Sequence, residues 1–443
     1  MSQRWTSFGH AMWRCEVAGL SILIDPVLSP THHDGVFSVH PPRSFDLDAL
    51  DDPIVVVTHR HPDHFDPDTL AALARRPDRL LLTADPLVAE VGQRLGFRWT
   101  RVLPPMEPLD LGGAALLPTP SRAHVPEWGM LVRSEGALVW NQVDTALGRP
   151  DDVRALLKAA AALGFGGPVD LLIARWCPIL QTVALHGGGG DFPFTGYGAE
   201  LERIAAVNAG FIVPGAASTR YADDEHWLNR YAYPVSEARA LEDLAARLPG
   251  VPSSPLVVGR RFEVGGGVRF EDAPGPVVAL EGPDPRPWRP LDAPPLRDDA
   301  PVEAGRVARV EAWVETALRP ALARWRWDLP AVLRLEVLHG EDVRRWGFRV
   351  SAGGVEDCDA EEWDALVCVA SGALDAVIAG RAPWGRALLD GRMRSVRRGY
   401  RVGPKGLERM KLPSVFLYAA LPYEAAFERW VWGRVAEICQ NRR

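Results

Sequence analysis

Short apolar runs alternate with amphipathic stretches along the N-terminal part of the chain. Leu20–Ile24, Ile54–Val57, Leu80–Thr83 and Val169–Ala174 are rich in Val, Ile and Leu and too short for helices, so they predict buried strands. Trp13–Ile24 predicts a hairpin turning at Ala18-Gly19. Leu109–Leu117 and Gly129–Trp140 predict antiparallel strands. Between these runs, Pro67–Arg75 and Pro86–Leu95 carry the marks of helices, the first with Asp66 as N-cap and Pro67 at its first turn. Asp151–Leu163 and Ala199–Ala209 predict two more. Residues 27–45 predict an irregular segment that could rim a site, a plain surface loop being the simpler reading, with no metal needed to explain His32-His33. The implied architecture is two sheets covered by helices on their outer faces.

Residues 271–302 break the pattern, with nine prolines between Pro274 and Pro301 that sustain neither helix nor central strand, and predict an extended linker. Beyond it, Glu303–Trp325 predicts an amphipathic helix through Val307, Val310, Trp313, Val314 and Leu318. Leu333–Leu338, Gly347–Val350 and Trp363–Val369 predict strands. A two-domain chain follows, 1–270 and 303–443, and a length of 443 residues asks for two cores.

Composition narrows the function classes. A hydrophobic share of 47% excludes a disordered chain, and a net charge of -7 argues against a nucleic-acid partner. No apolar run is long enough to span a bilayer and no leader pattern opens the chain, so a cytoplasmic protein is expected. The five cysteines, Cys15, Cys177, Cys358, Cys368 and Cys439, are scattered, which fits reduced thiols and no zinc ribbon.

The chemistry concentrates in Thr58-His59-Arg60-His61-Pro62-Asp63-His64, directly after the Ile54–Val57 run. Imidazoles and a carboxylate leaving a buried strand need partners. His59 and His61, two residues apart, point the same way on extended backbone, and Asp63 and His64 beyond Pro62 can address a second ion.

This His-x-His-x-Asp-His run after a strand resembles the signature of the metallo-β-lactamase superfamily, and the Leu20–Pro26 strand with its Asp-Pro turn resembles the lactonase-like and phospholipase-like branches. The resemblance implies an α+β fold with an αββα sandwich. It also implies that His59, His61 and His124 hold one divalent ion, that Asp63 and His64 hold the other, and that Asp144 bridges them. The last histidine usual in the superfamily's hydrolases has no counterpart in Ala209–Ala217. His186, before four glycines, is the candidate seventh ligand, with His226 or water as substitutes. Residues 170–265 resemble the β-lactamase-like part of the CMP-N-acetylneuraminate hydroxylase family, whose Rieske cluster has no Cys-x-His counterpart here. Residues around 333–394 resemble sterol-carrier-type lipid-binding domains, in which Trp384, Trp430 and Trp432 could line an apolar cavity, core packing being the simpler role.

These resemblances imply a non-haem diiron monooxygenase acting on a bulky lipophilic small molecule such as an acyl thioester, with dioxygen and an electron donor as partners and Asp63 and Asp144 at the reacting centre. Iron is expected ahead of zinc or manganese. The alternative is a dinuclear zinc hydrolase of a lactone, phosphodiester or amide bond, with Asp63 as proton acceptor; a lipid-binding protein on a retained metal scaffold is a third reading.

Overall fold

Leu20–Ile24 and Ile54–Val57 lie side by side and parallel, Ile24 opposite Val56; apart from Ser21, whose hydroxyl donates to Asp52, both runs are apolar and can be buried on both faces. They sit inside an eight-stranded sheet ordered Val268–Asp272, Arg260–Val264, Gln3–Ser7, Trp13–Val17, Leu20–Ile24, Ile54–Val57, Leu80–Thr83, Trp99–Val102. A six-stranded sheet faces it, ordered Leu109–Asp110, Ala114–Pro120, Trp128–Ser134, Ala137–Asn141, Leu171–Arg175, Ile212–Gly215. The structure, a computed structural model, describes residues 2–177, 180, 193–216, 219–222, 228–233, 235–273, 275–280, 296–298, 304–325, 330–359, 363–397, 399–403 and 406–441.

Alternation along the strands divides the side chains between layers. Ile22, Ile24 and Val56 point between the sheets, where they meet Trp128, Met130, Val139 and Ile173. Leu23, Val55 and Val57 point outward to the helices Pro67–Leu73 and Pro86–Leu95. Leu131, Trp140 and Leu172 of the second sheet pack outward against the helices Pro150–Ala162, Phe194–Val207 and Glu237–Arg247. The result is the four-layer helix-sheet-sheet-helix sandwich. Each fully buried Val, Leu or Ile contributes about 1.5–3 kcal/mol, so these strands are held chiefly by burial.

Several local expectations meet their physical cause. Asp66 caps the first helix by accepting from the Asp68 and Thr69 backbone N–H groups, and Ala18 and Gly19 turn the first hairpin with φ of 51° and 79°. Others need correction. Gly129–Trp140 is two strands, because Gly136 at φ 77° supplies a turn inside it. Leu109–Leu117 is likewise split at Gly112-Gly113. Residues 27–45 are not irregular: they contain strands Thr31–His32, Phe37–Val39 and Arg43–Phe45. A strand at Gln3–Ser7, absent from the sequence reading, pairs with both Trp13–Val17 and Arg260–Val264.

The C-terminal part builds a five-stranded sheet ordered Gly354–Asp357, Asp342–Ser351, Ala331–His339, Ala365–Ala370, Met393–Arg397. Its amphipathic helix buries Val310, Val314 and Leu318 and widens into a π turn over Val314–Leu318, just before Pro320, which has no N–H to give. Trp384 is a core residue whose indole N–H donates to the Leu421 carbonyl at 2.8 Å. The final helix, Tyr423–Asn441, returns to the first domain, where Phe427, Val431, Val435 and Ile438 join the layer beneath Leu23, Val55 and Val57. Most of the expected linker lies outside the described residues. No helix among the described residues is long and apolar enough to cross a membrane.

Candidate metal centre

Parallel strands end at one rim, and the chain places its chemistry there. Asp25 follows the Leu20–Ile24 strand and Thr58-His59 follows its neighbour Ile54–Val57; from the facing sheet, Asp144 lies just beyond Ala137–Asn141. Backbone register fixes the first pair, since the Asp25 N–H donates to the Val56 carbonyl at 2.8 Å. The Arg175 guanidinium, at the end of the next strand, donates to the Asp144 carbonyl at 2.9 Å and holds that loop.

A hydrogen-bond chain determines which imidazole nitrogens face the centre. Asp25, buried, accepts from the Thr58 N–H at 2.7 Å and the Thr58 hydroxyl at 2.8 Å. That hydroxyl has spent its only proton, so at 3.0 Å it accepts from His59 Nδ1, leaving a lone pair on His59 Nε2. His59 Nε2 is buried and has no partner. Asp25 also stands 2.9 Å from His64 Nδ1, which turns His64 Nε2 toward Asp144 at 3.2 Å and Asp63 at 3.5 Å. A carboxylate behind a ligand histidine is the usual way such rings are aimed.

The charges follow from this packing. Burial with His64 and His61 nearby holds the His59 imidazole well below its ordinary range, so it is neutral, as a metal ligand must be. Burial also disfavours a charged His64, but Asp63, Asp144 and Asp25 outweigh it and hold that ring well above the ordinary range. Burial would raise Asp63 and Asp144, yet His64 pulls both down. The cluster is therefore carboxylates compensated by one imidazolium, a role that a cation can take over.

Ring contacts link seven histidines in a continuous group: His10, His32, His33, His59, His61, His64 and His124. Among the described residues, two sets bring one donor atom each within 4.8 Å: His59, His64 and Asp144, and His10, Asp63 and His64. His61 stands beside His59, ring centroids 4.5 Å apart, but belongs to neither set. His124 is 72% exposed, 6.1 Å from the His61 ring, with Nε2 3.5 Å from Glu424 of the C-terminal helix. His186 and His226 lie outside the described residues. His64 offers a donor atom to both sets, whereas the resemblance assigns it to one ion.

Residues that the sequence reading missed lie next to these. His10, on the tight turn between Gln3–Ser7 and Trp13–Val17, was hidden because the first strand was not recognised. His32-His33 is not a surface loop: His32 is buried and stacks on Phe37, ring centroids 5.3 Å apart. Glu127 is buried with Oε1 unpartnered, and burial, with Asp144 nearby, pushes its carboxyl up to about 7. A cleft of about 780 Å³ opens from His32 and His33 between the two parts of the chain, lined also by Phe65, Trp430, Arg386 and Arg434.

The residues present fit a pair of divalent ions. Unpartnered, buried imidazole nitrogens and carboxylates converge at one rim, and leaving such atoms without a partner is costly. The fold and the donor set define a metal-binding αββα domain. Residues 4–176 match the family described as the beta-lactamase superfamily domain. A curated relative from Mycolicibacterium smegmatis, whose name is that of a Rieske 2Fe-2S iron-sulfur protein, is 27% identical over 242 residues, covering 50% of this chain and 44% of its own. The chain thus matches less than half the length of that relative. Similar solved structures include CmlA, a diiron beta-hydroxylase from Streptomyces venezuelae, with 18% identity, 61% of this chain and 54% of that one covered, and a TM-score of 0.40. The isothiocyanate hydrolase from Delia radicum gut bacteria has 16% identity, coverage of 58% and 97%, and a TM-score of 0.40.

Proposed function

We propose that this chain is a dinuclear metal enzyme that hydroxylates a small molecule with dioxygen, its ions held by His59, His61, Asp63, His64 and Asp144, with His124 closing the His59 side. Bound there, iron would supply dioxygen activation, and zinc would instead supply a hydrolytic nucleophile. One observation carries the choice. Where the strand Ile212–Gly215 reaches the rim, Ala216 follows it and packs with Ala11 and Val143, which flank His10 and Asp144. Methyl groups on residues next to His10 and Asp144 make a small apolar cluster, in keeping with a small apolar co-substrate. The Rieske name of the curated relative is in keeping with redox chemistry.

The chain's own residues do the rest. Asp25 and Thr58 hold two ligand rings in one tautomer, so the centre needs little reorganisation to bind its ions. Arg60, bound to Asp85 at 2.8 Å and to Glu428 at 2.9 Å, ties the motif to the C-terminal helix. The cleft beside His32 and His33 mixes Trp430 and Phe65 with ion-paired arginines, including Arg386 with Asp34 and Arg434 with Asp68. That lining suits a substrate with both apolar and charged parts and narrows the purely lipophilic expectation. Hydroxylation places one oxygen atom in the substrate and one in water, so two electrons must come from a separate donor.

A second reading, hydrolysis, is favoured by Glu127, a buried carboxyl that titrates near 7 and can exchange protons at neutral pH. Protein purified without chelators decides between them. Iron at two per chain and dioxygen uptake by the reduced protein are expected. Two zinc ions per chain and cleavage of a nitrophenyl phosphodiester without dioxygen would overturn the hydroxylase.

A further inference from the structure

His10 sits in a place where its ring has no structural reason to be left as it is. It is 4% exposed, and neither Nδ1 nor Nε2 has a hydrogen-bond partner. A buried imidazole normally satisfies both nitrogens, because each unpaired one costs about 1–3 kcal/mol. Its Nε2 lies 3.2 Å from Asp63 Oδ2, its one polar neighbour at that distance among the described residues, and its ring centroid lies 5.3 Å from that of His64. His10, Asp63 and His64 each bring a donor atom within 4.8 Å of the others. The turn that carries it is pinned, the Phe8 N–H donating to the Met12 carbonyl at 2.9 Å and the Met12 N–H to the Gly9 carbonyl at 3.2 Å. The ring is further held by stacking on His32 with an interplanar angle of 14°.

Among the described residues, the opposite sheet offers no histidine at the corresponding strand end. The strand Ile212–Gly215 ends at Ala216, and Ala216 touches Ala11, the residue directly after His10. We propose that His10 is a ligand of the ion on the Asp63–His64 side, supplied from the first hairpin in place of the histidine that the Ile212–Gly215 strand lacks. The inference rests on the dinuclear reading above. It adds an imidazole from the first sheet and leaves the Ala216 side open.

Cobalt(II) titration of the metal-depleted full chain tests it, read by visible absorption and by bound cobalt per chain. The wild type is expected to take two ions, and His10→Ala one, with the second weakened by more than about 100-fold, above the roughly 10–100-fold loss for an outer-shell partner. His10→Cys guards against a variant that fails to fold. It is expected to keep both ions and to gain a near-ultraviolet thiolate-to-cobalt band that the wild type lacks, which only a side chain touching the ion can produce. If the wild type takes two ions and His10→Ala takes two with similar affinity, or the cysteine variant shows no such band, His10 is not a ligand and the dinuclear reading stands. A wild type that takes no cobalt overturns both.

Discussion

His59 and His124 are expected on one ion, yet the chain delivers them in opposite ways. His59 follows a strand buried on both faces, and its ring is fixed through Thr58 to Asp25. His124 follows Ser121-Arg122-Ala123, which leaves the strand Ala114–Pro120 and is tied to the Asp144 loop. There the Ala123 and Ala146 N–H groups donate to the Ser121 hydroxyl, and the Arg122 N–H donates to the Ala146 carbonyl at 2.9 Å. Its side chain ends in solvent beside Glu424. One side chain is placed by sheet register and a buried hydrogen-bond chain; the other is positioned by loop contacts alone.

The largest test of this contrast removes Asp25. Its carboxylate is buried against Thr58 and His64, so Asp25→Ala leaves the Thr58 N–H and hydroxyl and His64 Nδ1 without their acceptor and withdraws one of the three carboxylates that offset the His64 charge. A loss of about 3–5 kcal/mol in the urea unfolding free energy of the metal-depleted protein is expected. A loss under about 1 kcal/mol would mean that the pre-set side is not pre-set. Next come the ligands themselves. His59→Ala should abolish one tight site in metal analysis after dialysis, and His124→Ala should weaken binding about tenfold. Equal losses would break the comparison.

The same contrast explains what could be read beforehand. The strands around Leu20–Ile24 and Ile54–Val57, the helices capped by Asp66 and Asp85, and the sandwich they build were legible, because burial on both faces leaves a continuous apolar signal and caps leave a local one. His59, Asp63 and His64 were legible for the same reason, being contiguous with such a strand. His10 and Glu127 were not. Each depends on contacts between segments far apart in sequence, and a single histidine or glutamate in a turn carries no period. His32-His33 was misread as surface because the residues that bury it, His10 and Phe37, meet it only in the folded chain.

Glu127 sharpens the comparison from the exposed side, since it lies three residues beyond His124 and is buried. Its carboxyl is raised from 4.5 to about 7, first by burial and then by Asp144. The folded state therefore binds a proton that the unfolded state has released, and stability falls as pH rises from about 4.5 to about 7. Glu127→Gln removes that loss. The metal-depleted variant should gain about 2–3 kcal/mol over wild type on going from about pH 5 to about pH 8, read from denaturant midpoints. No pH-dependent difference would place Glu127 in contact with water.

The smallest effect is expected at Glu424, where the C-terminal helix meets both segments at once. Glu424 lies 3.3 Å from Arg60 and 3.5 Å from His124, and its side chain is 39% exposed. Ion pairs this open are worth about 0.2–1 kcal/mol. Arg60 would keep Asp85 and Glu428 after Glu424→Gln, so the buried side of the centre should not move. A shift below about 1 kcal/mol in unfolding free energy is therefore expected. The helix itself is held by Phe427, Val431, Val435 and Ile438, each buried against the first domain. A loss several times larger would mean that this carboxylate, rather than apolar burial, anchors the helix, and that the exposed ligand is built into the fold after all.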